Sequence, residues 1–543
     1  MVFARRSTTL LAAIIASCAM VLSLTACTSD NKTVVDGQTT VTSNSAGGVA
    51  VFTPSDGITL NQQMPLNKWA KLVPDLTKAL VDAGFKKGDI NHTTSDSLDK
   101  QSRAIQGFVV DHLSNNTTDD SGIAIAPDNM TLLVAPVVEA DASTRQYGDY
   151  VSQNLSTNDV TDEGATSDGE SSEDDSSKDD SSNTESDSTA SDEQAQAVDR
   201  LVSSLKLAKE SGMHVVLLGN SIEGYKPDAF VKFSDAQTIG KLQAEKMVSK
   251  LKLDKASKDN PKYIEVLLPY TAVDEKGNAN DSTFAQEAFR GIWQVLGSYY
   301  QKGVVESPSG TLDGKSTEND WQAVAYDAAK EGSTAKVLDK RLAKTDGQST
   351  LTRIDGIITM NDYIASEVVK ELDDLGYTGS AADINPQITI SGIVGNITGK
   401  KDLSRDAVPD PIKSPENDNA NDSSSSDDDA DEDTSASDKD RDSQWPLVTG
   451  YGAYVSNIPS IVNGKQWMTG MEDRQTIATD IAQACAKLNK DEALNSMPSI
   501  RSSEVGGVKK IPTISEPLLA VSASNLKSAL IDPGYISLAD AGL

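Results

Sequence analysis

The stretch 351-LTRIDGIITMNDYIASEVVKELDDLG-376 decides the fold class of this chain. Its first half carries a short apolar run over residues 354–359, which is typical of a buried β-strand. Its second half, residues 362–375, repeats apolar side chains at helical spacing. A buried strand followed directly by an amphipathic helix is the repeating unit of a parallel α/β fold, so this unit predicts an α/β protein.

The same alternation extends along the chain on both sides of this stretch. The predicted strands are Gly57–Leu60, Thr131–Val138, Val215–Leu218, Ala229–Phe233, Tyr263–Leu268, Ile354–Thr359, Ile388–Ile393 and Leu447–Gly450. The predicted helices cover Trp69 to Leu80, Val198 to Ala208, Ala244 to Leu251, and residues 282–300, 318–345, 362–375 and 473–489. A pattern of this length exceeds one ordinary domain, so it predicts two lobes.

The N-terminus predicts an exported, lipid-anchored protein. Arg5 and Arg6 precede an apolar run from Leu10 to Leu24, which is too short to be read as a membrane span. The run ends in Leu-Thr-Ala followed by Cys27, the order that bacterial lipoprotein processing reads. We therefore interpret residues 1–26 as a signal peptide and Cys27 as the site of lipidation. An ordinary secretory peptide with a chance cysteine is the alternative. Residues 27–55 are polar and are interpreted as a flexible tether, with the folded part beginning near Gly57.

The net charge of -32 is concentrated in two places. Residues 159–193 hold 14 acidic residues and one Lys, and residues 416–442 hold 12 acidic residues, one Lys and one Arg. Both stretches are rich in Ser, Asp and Asn, which predicts disordered insertions over about 144–195 and about 400–444. The remaining chain is only mildly acidic and shows no basic surface, so nucleic acid is not an expected partner.

No catalytic or metal-binding motif stands out in the sequence. Cys18 leaves with the signal peptide, and Cys485 lies at helical spacing with Ile477, Ile481 and Leu488, which predicts a core position. The three histidines are scattered and adjoin no cysteine, so no metal site and no cofactor are expected. The chain contains no Gly-x-Ser-x-Gly and no phosphate-binding loop, so we do not expect an enzyme.

Several segments, in order, resemble type I periplasmic sugar-binding proteins of ABC transporters, most closely the xylose-binding branch. The most specific match is Val448-Thr449-Gly450 followed by Asn457-Ile458-Pro459-Ser460-Ile461-Val462-Asn463-Gly464-Lys465-Gln466-Trp467-Met468-Thr469. The others are Lys68-Trp69 opening a helix, residues 211–218, Phe230 to Asp235, and Ile354 to Asp362. The resemblance covers about residues 56–543 apart from the acidic stretches and some loops.

The resemblance implies a periplasmic-binding-protein-like type I fold, with two Rossmann-like lobes, parallel sheets and a three-segment hinge. The crossings are expected near 230–236, 466–473 and 505–515. The N-terminal lobe would then be residues 56–232 with 467–505, and the C-terminal lobe 233–466 with 506–543. The resemblance also implies a small solute, expected to be a sugar, held between the lobes and delivered to an ABC permease in the membrane.

The candidate ligand-binding residues follow from the same resemblance and from sugar chemistry. Directed polar groups bond sugar hydroxyls, and aromatic faces stack on the ring. The candidates are Lys68, Trp69, Asn220, Asp235, Asn280, Asp281, Asn361, Asp362 and Tyr451. Three of them carry a second interpretation. Lys68 is also a solvent-facing first-turn lysine, Trp69 a core residue, and Asp362 a helix cap.

Departures from the family pattern keep a second function open. Gly219-Asn220 stands where relatives carry an Asp-Arg pair, and Tyr451-Gly452 stands where they carry a polar pair. The expected function is a substrate-binding lipoprotein of an ABC transporter. The alternative is a sensor or scaffold lipoprotein on the same fold, with an altered or lost sugar site.

Overall fold

The computed structural model describes residues 32–35, 38–41, 46–55, 65–115, 125–138, 145–151, 153–156, 185–273, 280–328, 330–343, 350–381 and 444–543. Two compact units divide the chain, residues 1–45 and residues 46–543. In the first unit, strands β1 (Lys32–Val35) and β2 (Gln38–Val41) pair antiparallel. All elements below belong to the second unit.

A seven-stranded sheet forms the first lobe. Its strands, in chain order, are β3 (Gly48–Pro54), β4 (Ile90–Ser95), β5 (Met130–Val134), β7 (His214–Leu218), β9 (Ala229–Lys232), β17 (Ile500–Val505) and β18 (Val508–Ser515). Their spatial order is β17-β18-β9-β7-β5-β3-β4, and every neighbouring pair is parallel except the β17–β18 hairpin. Two short strands beside it, β6 (Asn154–Leu155) and β8 (Ser221–Ile222), pair parallel.

A four-stranded parallel sheet forms the second lobe. Its strands are β10 (Lys262–Val266), β12 (Val305–Glu306), β14 (Gly356–Ile358) and β15 (Leu447–Val448), in the order β12-β10-β14-β15. Strands β11 (Leu268–Pro269) and β13 (Ala325–Tyr326) form a parallel pair of their own. Strands β16 (Met468–Met471) and β19 (Leu519–Ser522) pair antiparallel.

The helices cover both faces of the sheets. They are α1 (Trp69–Asp82), α2 (Leu98–Asn115), α3 (Glu185–Glu210), α4 (Ala236–Leu251), α5 (Thr283–Gln301), α6 (Trp321–Val324), α7 (Ser333–Arg341), α8 (Asp362–Leu375), α9 (Ile458–Val462) and α10 (Arg474–Leu488). Successive side chains of a strand point to opposite faces. Val49 and Val51 of β3 accordingly share a core with α1 and α10, while Ala50 and Phe52 share another with α2 and α3.

The chain passes between the lobes three times. The first crossing follows β9 and ends at α4, and the second runs through β16 to α10, close to the residues 230–236 and 466–473 that the resemblance implies. The third was predicted near 505–515, which is wrong. The hairpin of β17 and β18 belongs to the first lobe's sheet, so the chain leaves it only after Ser515. The lobe boundary at residue 505/506 moves accordingly. The predicted α/β fold with two parallel lobes is confirmed.

Several boundaries predicted from the sequence need correction. The tether does not extend to residue 55, because β3 lies inside the first lobe's sheet with residues 48–53 buried. The predicted helix over 318–345 is broken into α6, β13 and α7. The insertion predicted over about 144–195 is ordered at both ends, where residues 145–151 fold into the protein and α3 begins at Glu185.

The structure also contains elements that the sequence did not predict. In the first lobe they include helix α2, the strands β3 and β4, and the β17–β18 hairpin. The predicted strands Gly57–Leu60 and Ile388–Ile393, the insertion over about 400–444 and Cys27 lie outside the described residues.

Two glycines let α4 and α5 pack backbone to backbone. A Cβ on Gly291 would lie 2.0 Å from the carbonyl oxygen of Gln237, and a Cβ on Gly240 would lie 2.3 Å from that of Ala288. Backbone atoms cannot yield as a flexible side chain does, so a side chain here forces the helices apart.

We expect Gly291→Ala to lower the free energy of unfolding by about 1–3 kcal/mol, because the added methyl overpacks this contact. Gly107→Ala is the matched control, since Gly107 lies in helix α2 and a Cβ added there would have no atom within 4 Å. The control should be neutral or stabilising by about 0.5–1 kcal/mol. Urea unfolding of both variants measures the difference, and equal midpoints would contradict the close helix contact.

Candidate functional site

Residues that follow the carboxyl ends of strands in both sheets meet, since Ser234 after β9 bonds Tyr451 after β15, and we call the region between the two sets of strand ends the cleft. On the first lobe, Lys68 lies between β3 and α1, the segment 145–151 follows β5, and Phe233 follows β9. On the second lobe, Asn361 follows β14 and Tyr451 follows β15. Ligands of open parallel α/β sheets bind outside the carboxyl ends of the strands. The polar and aromatic side chains here therefore define the candidate site.

The start of α1 is bound by a carboxylate from the chain itself. Lys68 Nζ lies 2.7 Å from Asp149 Oδ1, and the backbone N–H of Trp69 donates to Asp149 Oδ2 at 3.0 Å. Lys68 is the N-cap residue of α1 and makes no side-chain cap of its own. Asp149 therefore satisfies a free helix N–H and balances the positive end of the helix dipole.

Three aromatic rings close over this contact on the first lobe. Trp69 meets Tyr150 edge to face at a centroid distance of 5.1 Å and meets Phe233 at 5.7 Å. Tyr150 stacks on Phe233 at 4.8 Å, and its hydroxyl donates to the carbonyl oxygen of Lys68 at 2.5 Å. Trp69 is buried in this group, which favours the core interpretation of this residue over ring stacking on a solute.

The same segment reaches the second lobe with its other end. Tyr147 is fully buried in the second lobe's core, with its ring 4.7 Å from Phe284 and 6.3 Å from Tyr451. Asn361 Nδ2 donates to Gln146 Oε1 at 3.1 Å, and the Tyr454 hydroxyl donates to the Gln146 carbonyl oxygen at 2.7 Å. Two of the predicted ligand residues, Asn361 and Tyr451, thus contact a segment of the chain itself.

Asp362 lies beneath the cleft in a closed set of protein partners. Its Oδ1 accepts from Gln466 Nε2 at 2.7 Å, and its Oδ2 accepts from Thr469 Oγ1 at 2.8 Å and from the Tyr454 N–H at 2.9 Å. Burial raises the pKa of Asp362 to about 6, and these hydrogen bonds limit the rise. The capping interpretation of Asp362 is wrong, because Asn361 Oδ1 caps α8 by accepting from Ile364 N.

Gly450 is required by this buried carboxylate. A Cβ at position 450 would lie 2.1 Å from Asp362 Oδ1, so a side chain there would displace this buried, hydrogen-bonded carboxylate. The Val-Thr-Gly match noted in the sequence therefore has a steric cause in this structure.

A second buried carboxyl, Glu472, joins the first two crossings. Its Oε1 accepts from the Ser234 N–H at 2.6 Å and from the Tyr451 hydroxyl at 3.3 Å, and the Ser234 and Tyr451 hydroxyls also bond each other. Burial raises the pKa of Glu472 to about 7, the hydrogen bonds from Ser234 and Tyr451 oppose the rise, and the nearby Asp235 adds to it. Of the two adjacent acidic residues, Glu472 is thus buried and Asp473 caps helix α10.

The remaining predicted residues have protein partners at the ends of helices and loops. Asp235 Oδ1 caps α4 through Thr238, and Asp281 Oδ1 accepts from Thr283 N and Oγ1. Asn280 Nδ2 donates to the Thr271 carbonyl oxygen. Asn220 Nδ2 donates to the Pro136 carbonyl oxygen, and its Oδ1 accepts from Gln153 N. Their assignment to a ligand stays a prediction.

Sequence reasoning missed Gln146, Tyr147, Asp149 and Tyr150. Assigning residues 144–158 to the acidic insertion concealed them, although the acidic run begins only at Asp159. Two tyrosines and a valine within five residues, at 147–151, are an apolar signal that a disordered tail lacks. Within the described residues, no group of three or more His, Cys, Asp or Glu side chains could hold a metal ion.

No protein-family model and no curated protein matches the chain. Several solved structures do match the chain. A solute-binding protein from Clostridium phytofermentans with bound beta-D-glucose is 17% identical, covers 91% of this chain and 99% of its own, and gives a TM-score of 0.44. A carbohydrate-transporter solute-binding protein from Chloroflexus aurantiacus with D-glucose is 17% identical over 92% and 98%, with a TM-score of 0.43.

An arabinose-binding protein from Geobacillus stearothermophilus is 10% identical over 89% of this chain and 99% of its own, with a TM-score of 0.41. Likenesses this distant carry no inference about what this chain binds. The closeness to the xylose-binding branch stays a prediction.

We expect Glu472→Gln to flatten the pH dependence of stability. Between its ordinary value of 4.5 and its folded pKa of about 7, the folded chain keeps a proton that the unfolded chain has lost. The free energy of unfolding therefore falls as pH rises through this window, by an amount on the order of 3 kcal/mol, and levels off above it. Glutamine keeps the acceptor but cannot titrate.

Urea unfolding at pH 5, 6, 7 and 8 measures this slope. Asp362 contributes a slope of the same sign below about pH 6 and is present in both proteins. Glu504→Gln on the exposed side of β17 is the control and should follow the wild type. A slope for Glu472→Gln equal to that of the wild type would show that Glu472 is not the titrating group.

Proposed function

We propose that the chain is a solute-binding lipoprotein that takes a small solute, a sugar, between its two lobes and presents it to an ABC permease. The observation that carries the proposal is the pair of parallel sheets whose carboxyl ends face one cleft and whose lobes are joined by three crossings. Such crossings are suited to hinge closure around a ligand, with the closed form docking the permease. No catalytic step is part of the proposal.

The side chains around the cleft suit a ligand rich in hydroxyl groups. Asp235, Asn280 and Asp281 lie at the starts of helices, where carboxylate and amide groups accept or donate directed hydrogen bonds. Asp235 also pairs with Lys232 Nζ at 2.8 Å, and its pKa lies below its ordinary value because hydrogen bonds from Lys232 and Thr238 outweigh its partial burial. An ionised acceptor of this kind is a strong partner for sugar hydroxyls.

A sensor or scaffold on the same fold is the second candidate. The specific observation in its favour is that the Asp149 carboxylate pairs with the Lys68 ammonium and accepts from the first N–H of α1. The resemblance assigns the side chain of Lys68 to the sugar. A protein that no longer delivers a solute can keep such an internal contact, whereas a receptor must be able to release it.

We also propose export and anchoring through Cys27 on the outer face of the cytoplasmic membrane. The signal-like residues 1–26 and the following cysteine support this. Across the part of the chain that the structure describes, no helix has the length and apolar character to cross a membrane. Several acyl chains on one residue are enough for stable attachment.

The first test is a thermal-shift screen of the full chain against D-glucose, D-xylose, L-arabinose, D-ribose and myo-inositol. A solute at about 100 times its dissociation constant should add about 2.7 kcal/mol of stability, because it binds only the folded state. Silence across the panel, from a protein that melts cooperatively, would shift support to the sensor or scaffold.

For any solute found, we expect Asp235→Asn to weaken binding roughly tenfold, because a hydrogen bond to a charged acceptor is stronger than one to a neutral amide. Asn keeps the capping acceptor of α4. The matched control is Asp473→Asn, since Asp473 caps α10 through Thr476 in the same way. Calorimetric affinities that are equal for the two variants would remove Asp235 from the binding site.

We expect Cys27→Ala to abolish lipid attachment, because a thiolate is needed to form the thioether. Metabolic labelling with radioactive palmitate and phase partitioning in a detergent measure this in a bacterial host. Cys485→Ala is the control, since Cys485 is buried in the first lobe's core and should not affect labelling. Label retained in Cys27→Ala would contradict the anchor.

A further inference from the structure

We propose that the segment Gln146–Val151, the cleft segment, is an intramolecular ligand that holds the two lobes closed without any solute. A solute then binds only by displacing it. The inference rests on the proposed function only in placing the binding site in this cleft, and it holds whichever solute binds there. Its chemistry is that of a short peptide that offers one carboxylate to the first lobe and one phenol ring to the second.

The contacts with the first lobe are ionic and directional. Asp149 takes the Lys68 ammonium at 2.7 Å and the Trp69 N–H at 3.0 Å, while the Asp149 N–H donates to the Asn67 carbonyl oxygen at 2.8 Å. The Asp149 carboxylate lies at the N-terminus of a 14-residue helix that has no acidic residue in its first turn. Tyr150, 1% exposed, covers this contact from the cleft side.

The contacts with the second lobe are mostly apolar. Tyr147 is 0% exposed and belongs to the core formed by α4, α5 and the second lobe's strands. It lies two residues from Asp149, so one turn of the segment contacts both lobes. Gln146 adds two hydrogen bonds, with Asn361 and Tyr454, which both belong to the second lobe.

A glycine makes this turn possible. Gly148 has φ +93, a left-handed conformation that residues with a Cβ rarely adopt, and a Cβ there would lie 2.6 Å from the Asn67 carbonyl oxygen. Neighbouring Tyr147 and Asp149 can therefore face opposite lobes while the backbone runs against the first. The order Tyr147-Gly148-Asp149 therefore suits the segment to its position between the two lobes.

An internal ligand has a calculable effect on affinity. A solute that competes with it sees only the fraction of molecules whose cleft is vacated, so the apparent dissociation constant rises by the inverse of that fraction. The segment is tethered, so its effective concentration at the cleft is high and does not fall on dilution. Weakening the segment should therefore open the lobes and, where a solute binds, increase affinity.

The test measures the distance between the lobes by electron spin resonance in the absence of any solute. Spin labels are attached to exposed positions of the full chain through Lys78→Cys on α1 and Lys340→Cys on α7, with Cys18 and Cys27 replaced by alanine. Cys485 is fully buried and remains. We expect one narrow, short distance distribution for this parent protein.

Asp149→Ala should add a population at longer distance, because it removes both acceptors of the α1 contact. The matched control is Asp228→Ala. The Asp228 carboxylate also pairs with a lysine ammonium, that of Lys209, at 2.8 Å, and accepts from the backbone N–H of Val215 at 2.8 Å. All three residues lie in the first lobe. A parent protein already open without solute, or a distance distribution for Asp149→Ala equal to that of Asp228→Ala, would overturn the proposal.

A second variant guards against a change specific to one side chain. Gly148→Ala disturbs the turn and should lengthen the distance too. Its control is Gly224→Ala, since Gly224 also has positive φ, +68, but no atom within 4 Å of a Cβ. Thermal melting of all variants checks that each one folds. If Gly148→Ala and Gly224→Ala give the same distances, the turn does not hold the lobes and the proposal fails.

The solute panel separates this proposal from the proposed function. If D-glucose or another panel sugar binds, we expect Asp149→Ala to bind it on the order of tenfold more tightly than Asp228→Ala does. If no sugar binds Asp149→Ala or Asp228→Ala while Asp149→Ala still opens the lobes, the result supports the internal ligand and contradicts the sugar-receptor function. If a sugar binds both variants equally and the lobes do not open, the internal ligand falls and the receptor stands.

Discussion

The buried carboxyl of Glu472 is the interaction on which the arrangement of the two lobes depends. It accepts a hydrogen bond from Ser234 in the first crossing and from Tyr451 after strand β15 of the second lobe, while Glu472 itself lies in the second crossing. An ionised carboxylate without partners is costly to bury, so these three groups stay together as long as it is charged. The first two crossings are therefore coupled, and a hinge motion has to turn both of them together.

The cost of burying an unpaired polar group also governs the cleft above this contact. Asp362, Lys68 and Asn361 each meet protein partners, although the resemblance assigns them to a sugar. A ligand that enters has to replace those bonds with equally good ones, because a buried polar group left unpaired loses its full desolvation energy. Sugar binding and internal pairing thus compete for the same atoms. Whether the chain acts as a receptor or as a scaffold therefore depends on the difference in free energy between solute binding and internal pairing at this site.

The sequence predicts those features whose signal is local. Helices α1, α8 and α10 carry clear apolar stripes, and their observed bounds agree with the prediction to within two residues. Strand β4 was missed because it is an edge strand whose side chains are mostly exposed, so it lacks an apolar run. Strand β3 was missed because it directly follows a polar segment, and residues 27–55 were assigned as a whole to the tether.

The site was harder to predict because its contacts join distant parts of the chain. Lys68 and Asp149 lie 81 positions apart, and Asp362 and Thr469 lie 107 apart. No spacing rule in a single sequence relates such pairs. The resemblance supplied positions after the carboxyl ends of strands, and three of them, Lys68, Asn361 and Tyr451, contact one segment of the chain in the structure. It did not supply their partners, which come from a loop that composition had assigned to a disordered insertion.

An internal ligand changes what closure of the lobes reports. In a receptor of this kind, the closed form signals a loaded cleft to the permease. If the chain closes on its own segment, an empty protein resembles a loaded one, and delivery requires a solute that both displaces Asp149 and Tyr147 and re-forms the closed state. A ligand shifts such an equilibrium only by its difference in affinity for the two states. Transport by this chain therefore demands a tightly bound solute, whereas a sensor needs only one that breaks the internal contact.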